Sequence, residues 1–437
     1  MKILMSAFSC GPGQGSDPGI GWNMALETAR LGHEVVVLTQ TEFQAEIERE
    51  LATGRLPANL SFEIFIPTWL ERLRDAGLKC GLASSTWHVV SVLWQLCALS
   101  HARRRYQSAD FDLVHHVSLS GIRYPTLLTR LGPPTVIGPL GGGERAPMAL
   151  RRTLPWKDWC LDLLRDVHNW SLRVDPMTRS AFRDAEIIVL RTEESLVAVP
   201  PRYRHKVHIN VGMGLAEIAD IEAMPRRIGE PFRLIYAGRL LSWKGVHLAI
   251  RALAHALAQG ADATLTVVGD GPARHGLEKL ADDLGIAERV CWQGEVPRKT
   301  LLAMYAGHHA FLFPSLHDAG GTVVLEAWAY ALPVICLALG GPGKMVNNAC
   351  GRVVPVARRS EEDCVAMLGA EIVALAANEG LRLTLSRGAI ARCREFSWPR
   401  IVAALYSEID DRLHRHKAGP ACETPRYAMD RNGCQIS

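Results

Sequence analysis

One stretch of the chain, residues 313–327, combines residue types and a turn that could hold an anionic or hydroxyl-bearing ligand. The apolar run that leads into it is typical of a buried parallel strand, which Pro314 ends. Gly320 and Gly321 permit a tight turn, and Thr322 is predicted as the N-cap of the helix that follows. Because a helix start presents free N–H groups and the positive end of a dipole, this stretch predicts a site for a phosphate or a sugar oxygen.

Charged side chains accompany this turn. Asp318 precedes it and Glu326 lies eight positions later on the predicted helix, so both could accept hydrogen bonds from hydroxyl groups. Arg239 and Lys244 follow an apolar run at 233–237, which is predicted as a strand. Because a guanidinium binds phosphate oxygens as a fork and an ammonium adds a point charge, these two cations suit a phosphate-bearing ligand.

The acidic pattern resembles a known family. Asp318-x7-Glu326 with internal glycines, followed by Ala-Leu-Pro-Val-Ile and Gly-Gly-Pro, is similar to the Glu-x7-Glu region of retaining family 4 glycosyltransferases of the GT-B fold. The two cations stand in a Gly-Arg-x4-Lys-Gly segment, which is a second similarity. The first acid is Asp where that family has Glu, so its reach is one methylene shorter. The resemblance extends over residues 2–413 and is strongest in residues 233–345.

The resemblance implies an α/β fold of two Rossmann-like domains that face each other across a cleft. We place the acceptor-side domain at residues 1–215, the nucleotide-sugar-binding domain at 216–395, a helix that crosses back to the first domain at 396–415, and a disordered tail at 416–437. The implied reaction moves a sugar from a nucleotide-sugar donor to a hydroxyl of a glycan or lipid-linked acceptor, with retention of configuration. Neither a metal nor a cofactor is implied, since cations already balance the diphosphate.

The resemblance also implies roles for individual residues. Arg239 and Lys244 would stabilise the leaving diphosphate, Asp318 would hold hydroxyls of the transferred sugar, and Glu326 would hold the ribose. The implied donor-binding set further includes Gly19, Gly21, Gly238, Gly320, Gly321 and Thr322.

A pair of histidines stands near the end of a strand predicted at 112–117, where α/β folds place ligands. Since neighbouring strand residues point to opposite faces, one of the two is expected to face the cleft. Counting back from the following loop selects His116, whereas counting forward from the strand start selects His115. We favour His116 as the histidine that the resemblance places against the transferring sugar.

Glycines fill the first predicted turn, between a strand at 2–8 and a helix predicted from Trp22 to Leu31. Their spacing does not satisfy Gly-x-Gly-x-x-Gly, which weakens the alternative of an NAD-dependent oxidoreductase. The resemblance instead assigns Gly19 and Gly21 to the donor diphosphate. A GT-B sugar-nucleotide epimerase and a non-catalytic nucleotide-sugar-binding protein stay open as alternatives, because both would use much of the same scaffold.

Two further motifs are ambiguous. The glycine cluster at 138–143 follows a strand predicted at 134–137 and is either a flexible loop or a ligand-contacting loop. Asp110-Phe111-Asp112 is a literal Asp-x-Asp, which some sugar transferases use for a divalent ion. Because it precedes its strand, we interpret it as a solvated strand start, and no metal site is predicted.

Composition limits the classes of function. A chain of 437 residues is too long for one ordinary core, and 48% hydrophobic with 22% charged residues fits a globular protein. A net charge of +4 is far from the basic stripe of a nucleic-acid-binding protein, so no nucleic-acid partner is expected. Eleven cysteines without a Cys-x-x-Cys motif predict reduced thiols in a cytoplasmic protein.

Two segments bear on membrane contact. Residues 82–99 are fairly apolar and are followed by three arginines at 103–105. This segment is marginal as a membrane span, and the alternatives are a helix lying on the inner face of the membrane or a helix packed on the first domain. A second amphipathic helix is predicted at 156–174, with core or interface packing as its role.

Overall fold

Two parallel β-sheets, one in each half of the chain, organise the computed structural model, which describes residues 1–79, 83–216 and 221–417. The central strands of both sheets are almost wholly buried, because helices cover both sides of a parallel sheet. The first sheet contains β1 (Lys2–Ala7), β2 (Glu34–Thr39), β3 (Leu60–Ile64), β4 (Leu113–Ser118), β5 (Thr135–Leu140), β6 (Ile187–Leu190) and β7 (Val207–Ile209). The second contains β8 (Phe232–Ala237), β9 (Ala263–Val268), β10 (Val290–Gly294), β11 (Ala310–Phe313), β12 (Val334–Leu337) and β13 (Gly351–Val354).

Helices connect the strands and cover the sheets. In the first half these are α1 (Ser16–Arg30), α2 (Gln44–Ala52), α3 (Thr68–Lys79), α4 (Ala83–Arg105), α5 (Trp156–Ser171) and α6 (Pro176–Asp184). In the second half they are α7 (Val246–Ala258), α8 (Arg274–Asp283), α9 (Arg298–Tyr305), α10 (Thr322–Ala329), α11 (Gly340–Met345), α12 (Glu361–Ala377), α13 (Glu379–Glu395) and α14 (Trp398–Lys417). The predicted class, two Rossmann-like α/β domains, is confirmed.

Strand order fixes where ligands can bind. The described strands of the first sheet follow the order β3-β2-β1-β4-β5-β6-β7, and those of the second follow β10-β9-β8-β11-β12-β13. The order reverses between β1 and β4 in the first sheet and between β8 and β11 in the second. Loops that leave neighbouring strands at such a point diverge and open a crevice at the carboxyl ends of the strands. The loops after β8 and β11 carry the predicted cations and carboxylates.

Several predicted elements have different limits in the structure. Helix α1 begins at Ser16, not at Trp22, since Asp17 and Pro18 both suit a first helical turn. Gly19 and Gly21 therefore lie in a helix and not in a loop. The strand predicted at 134–137 extends further, since β5 runs from Thr135 to Leu140.

The last helix, α14, returns to the first half of the chain and packs against α1. The phenol Oη of Tyr406 on α14 lies 2.9 Å from Nδ1 of His115 on β4, and Nε2 of that histidine lies 2.8 Å from the carbonyl oxygen of Gly138. All of these contacts are buried. This polar chain ties α14 to the first sheet. The first two residues of the predicted tail, 416 and 417, belong to α14, and its remainder, 418–437, lies outside the described residues.

Helix α4 covers the first sheet. Trp94 is fully buried and its Nε1–H donates to the carbonyl oxygen of Phe65 at 2.7 Å, and Val90 is buried beside it. The apolar segment predicted at 82–99 is thus a helix packed on the first domain, although Leu82 lies outside the described residues. In the described part of the chain no single helix is long and apolar enough to cross a membrane; only α12 and α13 together, bent by 104°, reach that length and composition.

We expect Tyr406→Phe to destabilise the protein by about 1–3 kcal/mol, because it leaves a buried ring nitrogen of His115 without its partner. The free energy of unfolding from urea titration is the measurement. Tyr330→Phe, which removes a hydroxyl from a partly exposed tyrosine, serves as the control. Equal stability of the Tyr406 variant and the wild type would show that this contact does not hold α14.

Candidate functional site

The loop after β8 is seated directly on the end of β11. Gly245 has φ +73°, and a Cβ at this position would lie 1.9 Å from the carbonyl oxygen of Pro314. Only glycine can therefore stand here without displacing the backbone. This close approach brings Lys244 to the opposite loop, where its Nζ lies 2.7 Å from Oδ2 of Asp318. The structure thus joins two residues that are 74 positions apart in the sequence.

Asp318 also organises the turn before α10. Its Oδ1 accepts hydrogen bonds from the backbone N–H groups of Gly320 at 3.2 Å and Gly321 at 2.7 Å. Gly321, with φ +69°, is the N-cap, and Thr322 is the first helical residue. The prediction of Thr322 as the N-cap was wrong, because the left-handed backbone of Gly321 starts the helix without a side-chain cap. The N-terminus of α10 therefore lies beside a carboxylate that already holds Lys244.

Arg239 differs from Lys244 in having no protein partner. Its side chain is exposed, and within the described residues it forms neither a hydrogen bond nor an ion pair. Gly238, which precedes it, has φ +152° and directs the loop away from the end of β8. The guanidinium is free to bind a ligand that enters from solvent.

Glu326 lies on α10 and is nearly buried. Its Oε1 accepts from Nε of Arg298 at 3.0 Å and from Nη2 at 2.8 Å. Arg298 starts α9 and was not predicted as a site residue. It directly follows the Gly-Glu-Val-Pro turn after β10, and a lone arginine there carries no recognisable sequence signal. The pair leaves Oε2 of Glu326 as the acceptor for a hydroxyl group.

A cavity of about 340 Å³ separates the two halves of the chain. Its lining includes Gly19 on α1, Met213 in the connecting segment, and Arg298 and Thr322 in the second half. Gly21 is not among the lining residues. A Cβ on Gly21 would lie 2.4 Å from the carbonyl oxygen of Ser9, so this glycine permits α1 to pack on the chain that follows β1.

Both candidate histidines are fully buried and point to opposite faces of β4. His115 faces α14 through Tyr406, whereas Nδ1 of His116 lies 3.2 Å from Oγ of Ser6. Nε2 of His116 has no hydrogen-bond partner among the described residues. Burial lowers the pKa of His115 to about 4, and burial and the neighbouring His115 lower the pKa of His116 to about 4. Both rings are therefore neutral at pH 7.

A buried ion cluster crosses between the halves next to Asp318. Nε2 of His317 lies 2.8 Å from Oδ1 of Asp162 on α5, and Nε of Arg151 lies 3.0 Å from the other carboxylate oxygen. Burial would raise the pKa of Asp162, but contact with His317 and the charge of Arg151 lower it. No sequence signal joins these residues: Asp162 and His317 are 155 positions apart, and His317, although it lies inside the stretch 313–327, was not predicted as a site residue.

The ambiguous motifs have distinct settings. The glycine cluster overlaps the end of β5, because residues 138–140 belong to the strand, and it meets the second half, since a Cβ on Gly141 would lie 2.6 Å from Cβ of Ala319. Arg191, at the end of β6, lies between these two loops and was not predicted. The carboxylates of Asp110 and Asp112 accept from backbone N–H groups of Gln107 and Lys2, each at 2.7 Å. Among the described residues no cluster of three or more His, Cys, Asp or Glu side chains could hold a metal ion.

Comparison with known proteins agrees with this architecture. The chain shares 16% identity with a crystal structure of Anabaena HepE in complex with UDP, with a TM-score of 0.57 over 94% of this chain and 100% of that one. The chain has the GT-B fold.

Residues 219–366, about a third of the chain, match the family model described as Glycosyl transferases group 1. An alpha-D-kanosaminyltransferase of Streptomyces kanamyceticus is 31% identical over 33% of this chain and 39% of its own length. A D-inositol 3-phosphate glycosyltransferase of Streptomyces bingchenggensis is 26% identical over 84% of this chain and 80% of its own. The chain thus spans well under half of the first of these relatives. The match and the relatives support a group 1 glycosyltransferase.

The buried histidines predict a loss of stability in acid. A folded pKa near 4 lies below the unfolded value of 6.5, so the unfolded state binds more protons as the pH falls from 6.5 to 4. The free energy of unfolding should then fall by about 1.4 kcal/mol per pH unit for each such histidine. Urea titrations at several pH values across this range should show that the free energy of unfolding changes less steeply with pH in His116→Gln than in the wild type. An unchanged slope would contradict the lowered pKa.

Proposed function

We propose that the protein is a retaining glycosyltransferase, which transfers a sugar from a nucleotide-sugar donor to an acceptor hydroxyl. One observation carries the proposal: the Lys244–Asp318 pair lies at the N-terminus of α10, at the point where the strand order of the second sheet reverses. At this place the cation and the N–H groups of the helix start can bind a diphosphate, and the carboxylate can accept hydrogen bonds from the hydroxyls of a sugar attached to it.

Donor binding is proposed to rearrange this pair. An arriving diphosphate competes with Asp318 for the ammonium of Lys244 and also faces the N–H groups that start α10. The exposed guanidinium of Arg239 binds phosphate oxygens as a fork. Asp318, released from part of its contact with Lys244, then accepts hydrogen bonds from hydroxyls of the transferred sugar. The same residues thus bind both ends of the bond that breaks.

These cations also serve the chemical step. When the bond between the sugar and the diphosphate breaks, negative charge grows on the leaving phosphate oxygen. Arg239, Lys244 and the start of α10 stabilise that charge in place, so they act more strongly on the transition state than on the bound donor. The departing oxygen accepts the proton of the acceptor hydroxyl on the same face of the sugar, which retains the configuration. We propose no metal or cofactor, because two cations and a helix dipole oppose the diphosphate charge.

Two further contacts complete the proposal. Oε2 of Glu326 would accept from a ribose hydroxyl, while Arg298 holds the other carboxylate oxygen. His116 would approach the transferred sugar with its neutral Nε2, which has no partner in the described part of the protein. The glycines of the donor-binding set, including Gly19 in the wall of the cavity, would let the donor approach the backbone.

We expect Arg239→Ala and Lys244→Ala each to raise the barrier for transfer by about 2–4 kcal/mol, because each removes a group that stabilises the leaving diphosphate. The measurement is kcat/KM with radiolabelled nucleotide sugars and a panel of glycan and lipid-linked acceptors, with EDTA present to test metal independence.

Arg202→Gln, at an exposed arginine of the first half, is the matched control and should leave the rate unchanged. Full activity of both variants would remove Arg239 and Lys244 from the site. Interconversion of free nucleotide sugars without transfer would favour the epimerase, and donor binding without any turnover would favour the silent binding protein.

Helix α5 has features that bear on membrane contact on the acceptor side, because its two faces are arranged in an unusual way. Its polar face is turned inward: Asp158 accepts a hydrogen bond from Ser242 of the loop after β8, and Asp162 contacts His317. Its apolar face is turned outward, where large side chains are more than half exposed, namely Trp156, Leu161, Leu164, Val167, Trp170 and, just beyond the helix, Val174. A solvated helix would have the reverse arrangement.

The charges around this apolar face indicate its partner. Between residues 145 and 174 the exposed Arg and Lys side chains are Arg145, which is paired with Asp166, Arg152 and Lys157, whereas the three carboxylates of α5 face the protein. Exposed tryptophans with a cationic margin are typical of helices that lie on an anionic lipid surface. We propose that α5, and not the predicted segment at 82–99, is the peripheral membrane contact, which would place a lipid-linked acceptor near the cleft.

We expect Leu164→Glu with Val167→Glu to weaken binding to vesicles of phosphatidylglycerol and phosphatidylcholine by at least about tenfold, because it places charges in the apolar face. Vesicle co-sedimentation measures the effect. Val89→Glu with Leu96→Glu, on the exposed side of α4, is the matched control and should bind as the wild type does.

Three results would contradict a membrane role for α5. They are wild-type protein that stays in the supernatant, equal binding to vesicles of phosphatidylcholine alone, and a wild-type dimer in light scattering that the α5 variant converts to a monomer. The last result would assign the apolar face to a second copy of the chain.

A further inference from the structure

Arg191 is a buried cation at the boundary between the two halves. It follows β6, and its backbone N–H donates to the carbonyl oxygen of Leu140 at 2.9 Å, which holds it at the carboxyl edge of the first sheet. The residue is 7% exposed. This edge of the sheet faces the cleft, so the side chain is held where a ligand between the halves would lie.

The guanidinium reaches across to the second half. Its Nη1 lies 3.2 Å from the position that a Cβ would take on Gly320, and its Cδ lies 3.3 Å from the corresponding position on Gly141. It is thus packed between the glycine loop after β5 and the turn before α10. A side chain at either glycine would press on the guanidinium, which explains why both loops are glycine-rich at this point.

The guanidinium of Arg191 has unused hydrogen-bonding capacity within the described part of the chain. Neither Nε nor Nη2 has an acceptor among the described residues, although both atoms are buried. Asp17, Glu144 and Asp318 are the acidic neighbours that favour its charge, yet each is engaged with another group: Ser120, the N–H of Gly142, and Lys244 respectively. Leaving a buried charge without a hydrogen-bond partner is costly, so such a group calls for an explanation.

We propose that Arg191 is a donor-binding residue supplied by the first half of the chain. It hydrogen-bonds the sugar-linked phosphate of the nucleotide sugar when that phosphate lies at the start of α10. The inference rests on the proposed function. A phosphate fits better than a neutral hydroxyl, because a planar guanidinium presents two parallel donors and carries a charge that no carboxylate pairs directly. The contact would join the two halves across the bound diphosphate.

The test compares ligands with and without the distal phosphate. Titration calorimetry with UDP, GDP, ADP and dTDP first identifies a nucleoside diphosphate that binds the wild type. Arg191→Gln should then weaken the binding of that diphosphate by about tenfold or more. The matching monophosphate, which lacks the sugar-linked phosphate, should bind the variant and the wild type equally. Arg191→Lys keeps the charge but not the two parallel donors, so its affinity for the diphosphate should lie between those of the wild type and Arg191→Gln. Arg202→Gln is the matched control and should bind both ligands normally.

A stability measurement separates binding from a structural role. Because Nε and Nη2 of the buried guanidinium have no acceptor among the residues that the structure describes, Arg191→Gln should leave the melting temperature unchanged or raise it. A lower melting temperature together with weaker binding would assign Arg191 to the architecture and overturn the proposal. Equal diphosphate affinity in wild type and variant, or an equal loss for diphosphate and monophosphate, would also overturn it. If the wild type binds none of the diphosphates, the proposed function fails with it.

Discussion

The ion pair between Lys244 and Asp318 depends on a backbone contact that only glycine allows. Gly245 lies against the carbonyl oxygen of Pro314, which fixes the distance between the loops after β8 and β11. Without that contact the ammonium could not reach a carboxylate that also caps the turn before α10. Since these loops leave the two strands where the strand order reverses, the site is a consequence of topology as much as of residue type.

Helix α5 couples this site to the rest of the molecule. Its carboxylates reach Ser242 in the loop after β8 and His317 in the loop after β11, so the first half of the chain contacts both loops. Such contacts are weak in isolation, but burial and the nearby arginines make removal of one partner costly. Because the polar face of α5 makes these contacts, its apolar side chains face solvent. Rotating the helix to bury the apolar face would break the contacts with Ser242 and His317.

Much of the fold could be predicted because apolar runs and glycine turns are local signals. The strands predicted at 233–237 and 112–117 agree with β8 and β4 to within one residue at each end. The start of α1 could not be read correctly, since glycines at a helix start look like a loop unless the packing against Ser9 is known. The motif residues were recognisable through spacing. Arg298 and Arg191 were not, because Arg298 acts through Glu326, which is 28 positions away, and Arg191 acts through a fold that buries it between two distant loops. His317 lies inside the recognised stretch, but its contact with Asp162 could not be predicted, because the two residues are far apart in the sequence.

Arg191 and Arg239 show two ways of keeping a cation ready for a ligand. Arg239 stands in solvent, where an unpaired charge costs little and where its side chain must be ordered when a ligand binds. Arg191 is already ordered by packing, so the free-energy cost of ordering and burying its guanidinium arises on folding and not on ligand binding. A phosphate that accepts its hydrogen bonds would offset the cost of that burial. A cleft that uses both would combine capture from solvent with a preorganised contact. Its affinity for a diphosphate would then depend on how closely the two halves approach.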